Sequence, residues 1–547
     1  MSIQKKNTMK RSSIRQKYQE FFLSSLRELE KGKKIFFVII NILLSIYITF
    51  VVYTSNSAIF INPALTFQVI CKSIFLSIII FHLILFLCVK SKLLHITIHD
   101  RPHQFNKKTW MLYSVLCFLV LLIPYAIHFP GFTSYDTFVQ WNQVQQFQFD
   151  NWHPVIHTWT IWLITRIYNH YAFVIFFQIL LFSFAVGYLI ATLETWIYTK
   201  KLLLPIGLFI VLNPFTQGLV LYMWKDIVFT TLLVFIAAYL INIYLSDGSW
   251  LIQWKNIIIF SFCIGLATLV RHNGMFFTVP LLTMLLFFYL KGNWRVSLIV
   301  VFTGLLIVLI RGPLYSVLKV SYPDNVYLES VGIPMTIMGD VLVKNPQALS
   351  TETKDFLNTI ATDDEWKKRY IQGDFNSIKG PFHVWDYLPE VPVKDFIKMT
   401  IQTIQSDPLN SFLAIRKITA SVWGVFGDFH TIEYFSSRES LLNESNSIRK
   451  LLKNCLFIFD NLIVSIPLIG GLLTKTGLQM LLLLLTGIIS FYSKGAKIFL
   501  LVIPSVVYNL GTMLLLCTDS DIRFFHFNVV ITLPFILVLL SKSRILS

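Results

Sequence analysis

Long apolar runs separated by short polar segments dominate this chain of 547 residues. A run of about 18 or more apolar residues is long enough to cross a bilayer as a helix. The pattern predicts an all-α polytopic membrane protein with about twelve transmembrane helices. Their expected limits are 35–54, 67–89, 109–128, 172–198, 202–220, 227–246, 256–270, 275–290, 296–310, 474–493, 498–517 and 524–540.

Two further apolar stretches do not fit as spans, because either one would disturb the distribution of charged loops. Val155–Tyr168 is short and contains His157 and Arg166, so we interpret it as a helix in the outer membrane interface. Leu451–Leu472 contains Pro467 and two adjacent glycines, and we interpret it as an interfacial or re-entrant segment.

The charges then orient the predicted helices. The net charge is +17, but the Lys and Arg residues cluster in short segments between apolar runs, which argues against nucleic acid as a partner. With the N-terminus inside, the cytoplasmic segments hold 24 Lys and Arg and the short outer loops hold four. This asymmetry follows the positive-inside rule and predicts a cell-membrane protein with both termini in the cytoplasm.

The same reading divides the chain into five parts. A basic cytoplasmic tail, which would face anionic lipids, is followed by two spans and a basic inner loop. A membrane core, a mostly helical extracytoplasmic region and three C-terminal spans complete the order. The predicted boundaries are 1–34, 35–108, 109–310 with an outer loop at 130–171, 311–473 and 474–547.

Several common functional classes have no sequence support. The six cysteines lie in or beside apolar runs without a CxxC pair, so they indicate neither a metal site nor a disulfide framework. The chain has no Walker loop, no GxGxxG and no GxSxG. A nucleotide-driven pump and a serine hydrolase are therefore not indicated.

The segment Phe129–Pro154 is unusual because it contains two Asp and five Gln but no Lys or Arg. If 135–149 is helical, Asp136, Gln140 and Gln143 share one face. Side-chain amides both donate and accept hydrogen bonds, which suits a hydroxyl-rich ligand. Alternatively the helix is merely interfacial, with a residue of Thr133-Ser134-Tyr-Asp136 as its N-cap. Aromatic residues on its other faces would then anchor it among lipid headgroups: Phe138, Trp141, Phe149 and Trp152.

Three cations break the charge rule at the outer ends of spans, namely Lys225, Arg271 and Arg523. Converging Lys and Arg side chains suit an anionic phosphate, which Arg can bind through two hydrogen bonds. Local ion pairs are the alternative for Lys225 with Asp226 and for Arg523 with Asp519 or Asp521, whereas Arg271 has no acidic neighbour in sequence.

His153 and His157 are four residues apart, but Pro154 lies between them. No HExxH motif or Cys partner accompanies this pair, so a zinc site is not indicated. A hydrogen-bonding or phosphate-contacting role for His153 fits the sequence better.

The order of these pieces resembles the GT-C glycosyltransferases, multispan enzymes that use polyprenyl-phosphate or polyprenyl-diphosphate sugars. With the third predicted span as the first of the core, Asp136 and Asp226 fall in the first two outer loops, where that superfamily keeps its functional acids. The chain also resembles an uncharacterised family of Gram-positive multispan proteins. The shared pieces are Ser-Tyr-Asp136, Asn-Trp-His153-Pro, Trp-Lys225-Asp226, Arg271-His272-Asn273-Gly and Asp-Ile-Arg523-Phe.

The resemblance implies transfer of a sugar from a polyprenyl-phosphate donor to a cell-envelope glycan, lipid or protein on the outer face. Asp136 would be the general base, and Asp226 would orient Lys225, bind sugar or hold a Mg²⁺ or Mn²⁺ ion. Lys225, Arg271 and Arg523 would stabilise the leaving phosphate. His153, Gln140, Gln143, His272 and Asn273 are the further substrate-binding candidates. The alternatives are a transporter or flippase for a lipid-linked or anionic solute, and a non-catalytic scaffold of envelope assembly.

Overall fold

A computed structural model of the protein describes residues 96–99, 102–197, 200–322, 326–425, 446–515 and 522–543, with a few positions between 38 and 83. The chain divides into two compact units, 1–95 with 488–495, and 96–487 with 496–547. The fold described below is that of the second unit, except that one of its helices, Thr476–Lys494, continues into the first. The basic tail and the first two predicted spans lie outside the described residues, apart from scattered positions.

The first half of this unit is a helical bundle. Its helices run alternately up and down, since short polar turns follow each apolar run. Their bounds are α1 Lys107–Ile127, α2 Tyr135–Gln146, α3 Val155–Thr165, α4 Tyr171–Trp196, α5 Leu203–Val211, α6 Pro214–Leu219, α7 Lys225–Leu245, α8 Trp254–Val270, α9 Met275–Tyr289 and α10 Val296–Leu309. A π-helical turn continues α10, and the helical stretch ends at Val317.

The intervening region is also helical and has its own buried core around Trp366, Leu357 and Ile378. Its helices are short, because polar caps such as Ser350 and Thr362 begin new turns. Their bounds are α11 Gly332–Lys344, α12 Thr351–Ile360, α13 Asp363–Arg369, α14 Asn376–Lys379, α15 Val384–Tyr387, α16 Val393–Ser406, α17 Pro408–Ile418 and α18 Ala420–Trp423.

The C-terminal part adds α19 Ser447–Ser465, α20 Pro467–Thr474, α21 Thr476–Lys494, α22 Phe499–Leu515 and α23 Phe527–Leu540. The amides of Asn509 and Asn528 donate to each other at 3.1 and 3.0 Å and join α22 to α23. Two three-residue strands, β1 Ile96–Ile98 and β2 Ser541–Ser543, pair in parallel with Ile96 opposite Ser541.

The predicted helical, membrane-compatible class is confirmed at this coarse level. Within the described residues, seven helices are long and apolar enough to cross a membrane. They are Lys107–Ile127, Tyr171–Trp196, Lys225–Leu245, His272–Tyr289, Val296–Val317, Ala496–Leu515 and Ile522–Leu540. Val155–Thr165, Trp254–Val270 and the Thr476–Phe491 part of α21 are shorter apolar stretches, so the seventh predicted span is helical but falls below that length.

The fifth predicted span, 202–220, is not one continuous helix. It ends at Val211 and begins again at Pro214, where the Asn213 side chain accepts from the Phe215 amide. Proline cannot donate a backbone hydrogen bond, so it is tolerated at the first position of a new helix and breaks the old one. The segment Leu451–Leu472 is likewise interrupted before Pro467, as expected, but Gly470 and Gly471 lie inside α20.

Candidate functional site

The ionisable residues singled out from the sequence lie at one end of the bundle. This is the end where α1 and α8 finish and where α4, α7, α9 and α23 begin. Phe132 pairs with Tyr222 in an isolated bridge, which holds the loop before α2 against the loop before α7. The alternating helix directions therefore bring residues from distant parts of the sequence to one place.

Asp136 lies in the first turn of α2, which begins at Tyr135 as predicted and ends at Gln146. Ser134 is the N-cap and forms a capping box with Thr137. The Ser134 hydroxyl also accepts a hydrogen bond of 2.7 Å from the Trp224 indole. The start of α2 is thus tied both to its own first turn and to the loop that leads into α7.

Arg523 meets Asp136 from the other end of the chain. Its Nη1 lies 3.6 Å from Asp136 Oδ2, and the two side chains are 22% and 30% exposed. The guanidinium lies 5.0 Å from the Trp224 ring centroid and 4.9 Å from that of Phe524. Both distances are within the range of cation–π attraction, so aromatic faces position this arginine beside the carboxylate. The alternative partners Asp519 and Asp521 lie outside the described residues.

Arg271 and Asp226 form a buried ion pair beneath this contact. Nη1 of Arg271 lies 2.6 Å from Asp226 Oδ1, and the side chains are 6% and 3% exposed. Arg271 also donates to the Phe524 carbonyl at 3.3 Å, and its guanidinium lies 4.7 Å from the Phe524 ring. The absence of an acidic sequence neighbour was therefore misleading, because the partner of Arg271 comes from another helix. Removing one partner of a buried pair costs roughly 3–5 kcal/mol, so an Arg271 substitution would lower stability as well as any binding.

Lys225 is held by His153. Its Nζ lies 3.1 Å from His153 Nδ1. Burial, and then the charge of Lys225, lower the pKa of His153 to about 3, so the imidazole is neutral near pH 7 and accepts from the ammonium. Within the described ranges no carboxylate lies within 4 Å of Lys225 Nζ, so the alternative of a local pair with Asp226 is not formed.

The cations around Asp136 govern its ionisation. Burial raises the pKa of this carboxyl, but the positive charges of Lys225 and Arg523, together with that of Lys379, lower it more strongly. The net pKa lies below the ordinary value for aspartate. Asp136 is therefore a carboxylate at neutral pH, surrounded by groups that would also attract an anionic ligand.

The two glutamines of α2 are engaged inside the protein. Gln140 is 1% exposed and bonds to Thr158 at 3.0 Å and to His157 at 3.1 Å. Gln143 is buried and donates to Asp150. Contrary to the expectation of an amide face open to sugar hydroxyls, these side chains attach α2 to its surroundings.

The two remaining candidates, His272 and Asn273, differ in their exposure. His272 is exposed and donates to the carbonyls of Asn151 and Trp152 at 3.1 and 3.3 Å. Asn273 is buried and donates to Tyr508 and Thr512 in α22, which is a packing role.

The expected lipid-headgroup anchor Phe149 is instead 4% exposed. It packs in a buried cluster with Trp159 and Tyr315. The ring is therefore a core residue that joins the loop after α2 to the segment after α10.

The sequence analysis did not single out three residues discussed with the Asp136–Arg523 contact, namely Trp224, Phe524 and Lys379. Trp224 and Phe524 adjoin predicted cations, and that adjacency was the available signal. Lys379 lies about 150 residues from both Lys225 and Arg523 in the chain, and no local sequence pattern marks it as a candidate. Its charge interacts with that of Glu329 first, and then with those of Asp136, Arg523 and Lys225.

The carboxylates do not fit a divalent-metal site. Asp226 pairs with Arg271, and Asp136 lies beside Arg523. Each carboxylate would therefore have to give up its arginine partner before it could bind a metal ion. Within the described part of the chain, no group of three or more His, Cys, Asp or Glu side chains could hold a metal ion.

Comparison with known proteins gives a family but no activity. Residues 168–544 match the model described as "Family of unknown function (DUF6020)". No curated protein matches the chain, and neither does a solved structure. The matched residues include Lys225, Asp226, Arg271 and Arg523, whereas Asp136 precedes them. Because the match covers well over half of its length, the chain belongs to this family of unknown function, DUF6020.

Proposed function

We propose that this protein is a multi-pass membrane glycosyltransferase with its active site on the outer face. It transfers a sugar from a polyprenyl-phosphate-type donor to a hydroxyl group of a cell-envelope acceptor. The observation that carries the proposal is the meeting of the half-exposed Asp136 carboxylate with Arg523, beside Lys225. A base and a set of cations side by side are what sugar transfer from a phosphate requires.

The proposed reaction is a direct displacement at the anomeric carbon. The acceptor oxygen forms the new bond to that carbon as its proton passes to Asp136. The bond from the anomeric carbon to the phosphate oxygen breaks, and the electron pair leaves with the lipid phosphate. Arg523 and Lys225 stabilise the charge that develops on this oxygen.

The Arg271–Asp226 pair has a positioning role in this proposal. Arg271 holds the Phe524 carbonyl and stacks near its ring, and the same ring lies beside Arg523. The pair therefore fixes the segment that presents Arg523 to Asp136. No step is assigned to a metal ion.

A transporter or flippase for a lipid-linked or anionic solute is the second candidate. It is favoured by the helix broken at Asn213–Pro214 and by the buried contact between Thr216 and His526 at 2.9 Å. Broken helices and buried polar groups between spans occur at transport sites. The ionisable cluster lies at the helix ends, however, which fits surface chemistry better.

The test is transfer of labelled sugar from polyprenyl-phosphate sugars by the purified chain in vesicles. Asp136→Asn keeps the shape of the side chain but removes the base, so transfer should fall by about 10²-fold or more. The matched control is Asp355→Asn, on an exposed position of α12, which should leave transfer unchanged. Full transfer by Asp136→Asn would rule out Asp136 as the base. Movement of the intact sugar-lipid across the vesicle membrane, without transfer of its sugar, would favour the transporter.

A further inference from the structure

Two arginines share the ring of Phe524 but hold their carboxylates at different distances. The guanidinium carbons of Arg271 and Arg523 lie 4.7 and 4.9 Å from the centroid of that ring. Nη1 of Arg271 lies 2.6 Å from Asp226 Oδ1, a close contact between opposite charges. Nη1 of Arg523 lies 3.6 Å from Asp136 Oδ2, which is too long for a direct hydrogen bond. The contact of Arg523 with Asp136 is therefore the looser of the two.

Burial separates the two pairs in the same sense. The side chains of Arg271 and Asp226 are 6% and 3% exposed, whereas those of Arg523 and Asp136 are 22% and 30% exposed. An ion pair that water reaches contributes little to stability, so its partners can part at small cost. An anionic ligand can therefore compete for Arg523, while Arg271 stays with its buried carboxylate.

Aromatic rings hold Arg523 independently of Asp136. Its guanidinium carbon lies 5.0 Å from the Trp224 ring centroid. Trp224 is itself fixed, because its ring stacks on Tyr222 with centroids 4.1 Å apart and its N–H donates to Ser134. Cation–π attraction acts on the face of a guanidinium, whereas the N–H groups at its edge bind carboxylates and phosphates. The arginine can therefore keep its place when its edge changes from one anion to another.

The charges that act on Asp136 make such a change useful. Burial raises the pKa of this carboxyl, but Lys225, beside the neutral His153, lowers it together with Arg523 and Lys379. The net pKa is below the ordinary value. A carboxylate with a lowered pKa is a weak proton acceptor. A base at this position gains strength only when an anion neutralises the surrounding cations.

We propose that Arg523 exchanges partners during the reaction: it leaves Asp136 for the phosphate group of the donor, and the carboxylate that it releases becomes the base. This inference deepens the proposed function and rests on it for the identity of the donor. The recognised chemistry is a phosphate or diphosphate group, either attached to a polyprenyl chain or free. The exchange regulates the site, because removal of the acceptor's proton waits until the donor is bound.

The first experiment measures anion binding by the full chain in nanodiscs of phosphatidylcholine. The probes are inorganic pyrophosphate in solution and polyprenyl phosphate in the nanodisc. Because Asp136 competes with the anion for Arg523, Asp136→Asn should bind each probe about fivefold more tightly than the wild type at neutral pH. A variant that merely damaged the site would bind more weakly. The matched control Asp355→Asn, at an exposed position of α12, should bind as the wild type does.

The second measurement follows the ratio of the wild-type and Asp136→Asn dissociation constants as the pH is lowered, which cancels the titration of the probe itself. The anion raises the proton affinity of Asp136, so binding takes up protons and low pH favours it. The ratio should therefore fall toward one as the pH falls through about 4, the ordinary range for aspartate. A ratio that does not vary with pH, or tighter binding by the wild type, would overturn the exchange.

Arg523→Gln tests the cation of the exchange. It should weaken binding by about tenfold or more, as for loss of a hydrogen bond to a charged group. Arg369→Gln removes an exposed arginine of α13 and should bind as the wild type does. Wild-type affinity in a folded Arg523→Gln protein, or no binding of either probe to the wild type, would also overturn the proposal. The expected binding results without sugar transfer under any condition would support the exchange and count against the transferase.

Discussion

Asp136 is the residue whose surroundings say most about its chemistry. It is the one acid of the predicted pair that is still half-exposed, since Asp226 is buried against Arg271. A base must reach its acceptor, whereas a buried ion pair mainly holds its neighbours in place. The structure therefore separates two acids that the sequence analysis had placed together as catalytic candidates.

The lowered pKa of Asp136 predicts how this site contributes to stability at different pH values. A carboxyl whose pKa is lower in the folded protein stabilises it above the unfolded pKa, and that contribution is lost as pH falls through the folded value. We expect the wild type to be more stable than Asp136→Asn at pH 7. The difference should shrink below about pH 4, the ordinary range for aspartate.

Melting temperatures of both proteins between pH 3 and 7 (a range set by carboxyl titration) would check this expectation. Asp355→Asn serves as the control, since its side chain is exposed and its difference from the wild type should not vary in this way. A difference for Asp136→Asn that is constant with pH would show that the cations around Asp136 do not stabilise its charge.

Among the secondary-structure elements, α2 shows how a local sequence signal, its N-cap, positions a candidate functional residue. Its capping box was foreseeable from Thr133-Ser134-Tyr-Asp136, since Ser is a favoured N-cap. The bond from Trp224 to the same Ser134 hydroxyl was not foreseeable, because it joins residues 90 apart. One hydroxyl therefore both starts the helix and attaches it to the loop before α7.

Ser134→Ala should lower the stability by about 1 kcal/mol, the usual cost of losing an N-cap, and should also displace Asp136. Ser350→Ala removes a comparable N-cap from α12, where the side chain accepts from the Thr353 amide. We expect a similar loss of stability in both variants but slower sugar transfer only in Ser134→Ala. Melting curves and the sugar-transfer assay would measure the two effects, and equal transfer by both variants would contradict a role of this cap in the site.

For the molecule as a whole, the prediction that remains open is which end faces outward. The charge asymmetry predicts that the site end is extracytoplasmic. In a background without native cysteines, Tyr135→Cys and Ile397→Cys should react with a membrane-impermeant reagent in intact cells. Lys255→Cys should react only after permeabilisation. All three positions are exposed, so the reagent can reach each of them. Labelling of Lys255→Cys in intact cells would reverse the orientation and remove the proposed site from the outer face.

The sequence allowed the helical class and most helix positions to be predicted, because apolar runs of span length are a strong signal. It also identified Asp136, Lys225, Asp226, Arg271 and Arg523, which the structure brings to one end of the bundle. It did not reveal which acid pairs with which cation, since Arg271 and Asp226 meet through tertiary packing. The helix break at Asn213–Pro214 was missed because the sequence around it is apolar throughout. Lys379 was missed because it lies in a region of ordinary polar composition.

The position of Phe524 in the chain has a consequence for how the protein is made. Its carbonyl and ring contact Arg271, and its ring also contacts Arg523. Ribosomes release the N-terminal part first, so Asp136, Asp226 and Arg271 leave the ribosome long before Phe524 is synthesised. A nascent chain therefore carries Asp136 without Arg523, and Arg271 without the Phe524 carbonyl, although Asp226 and Arg271 can already pair. A chain that ends before residue 523 lacks both Arg523 and Phe524, so the contacts around Asp136 and Arg271 cannot be completed in it.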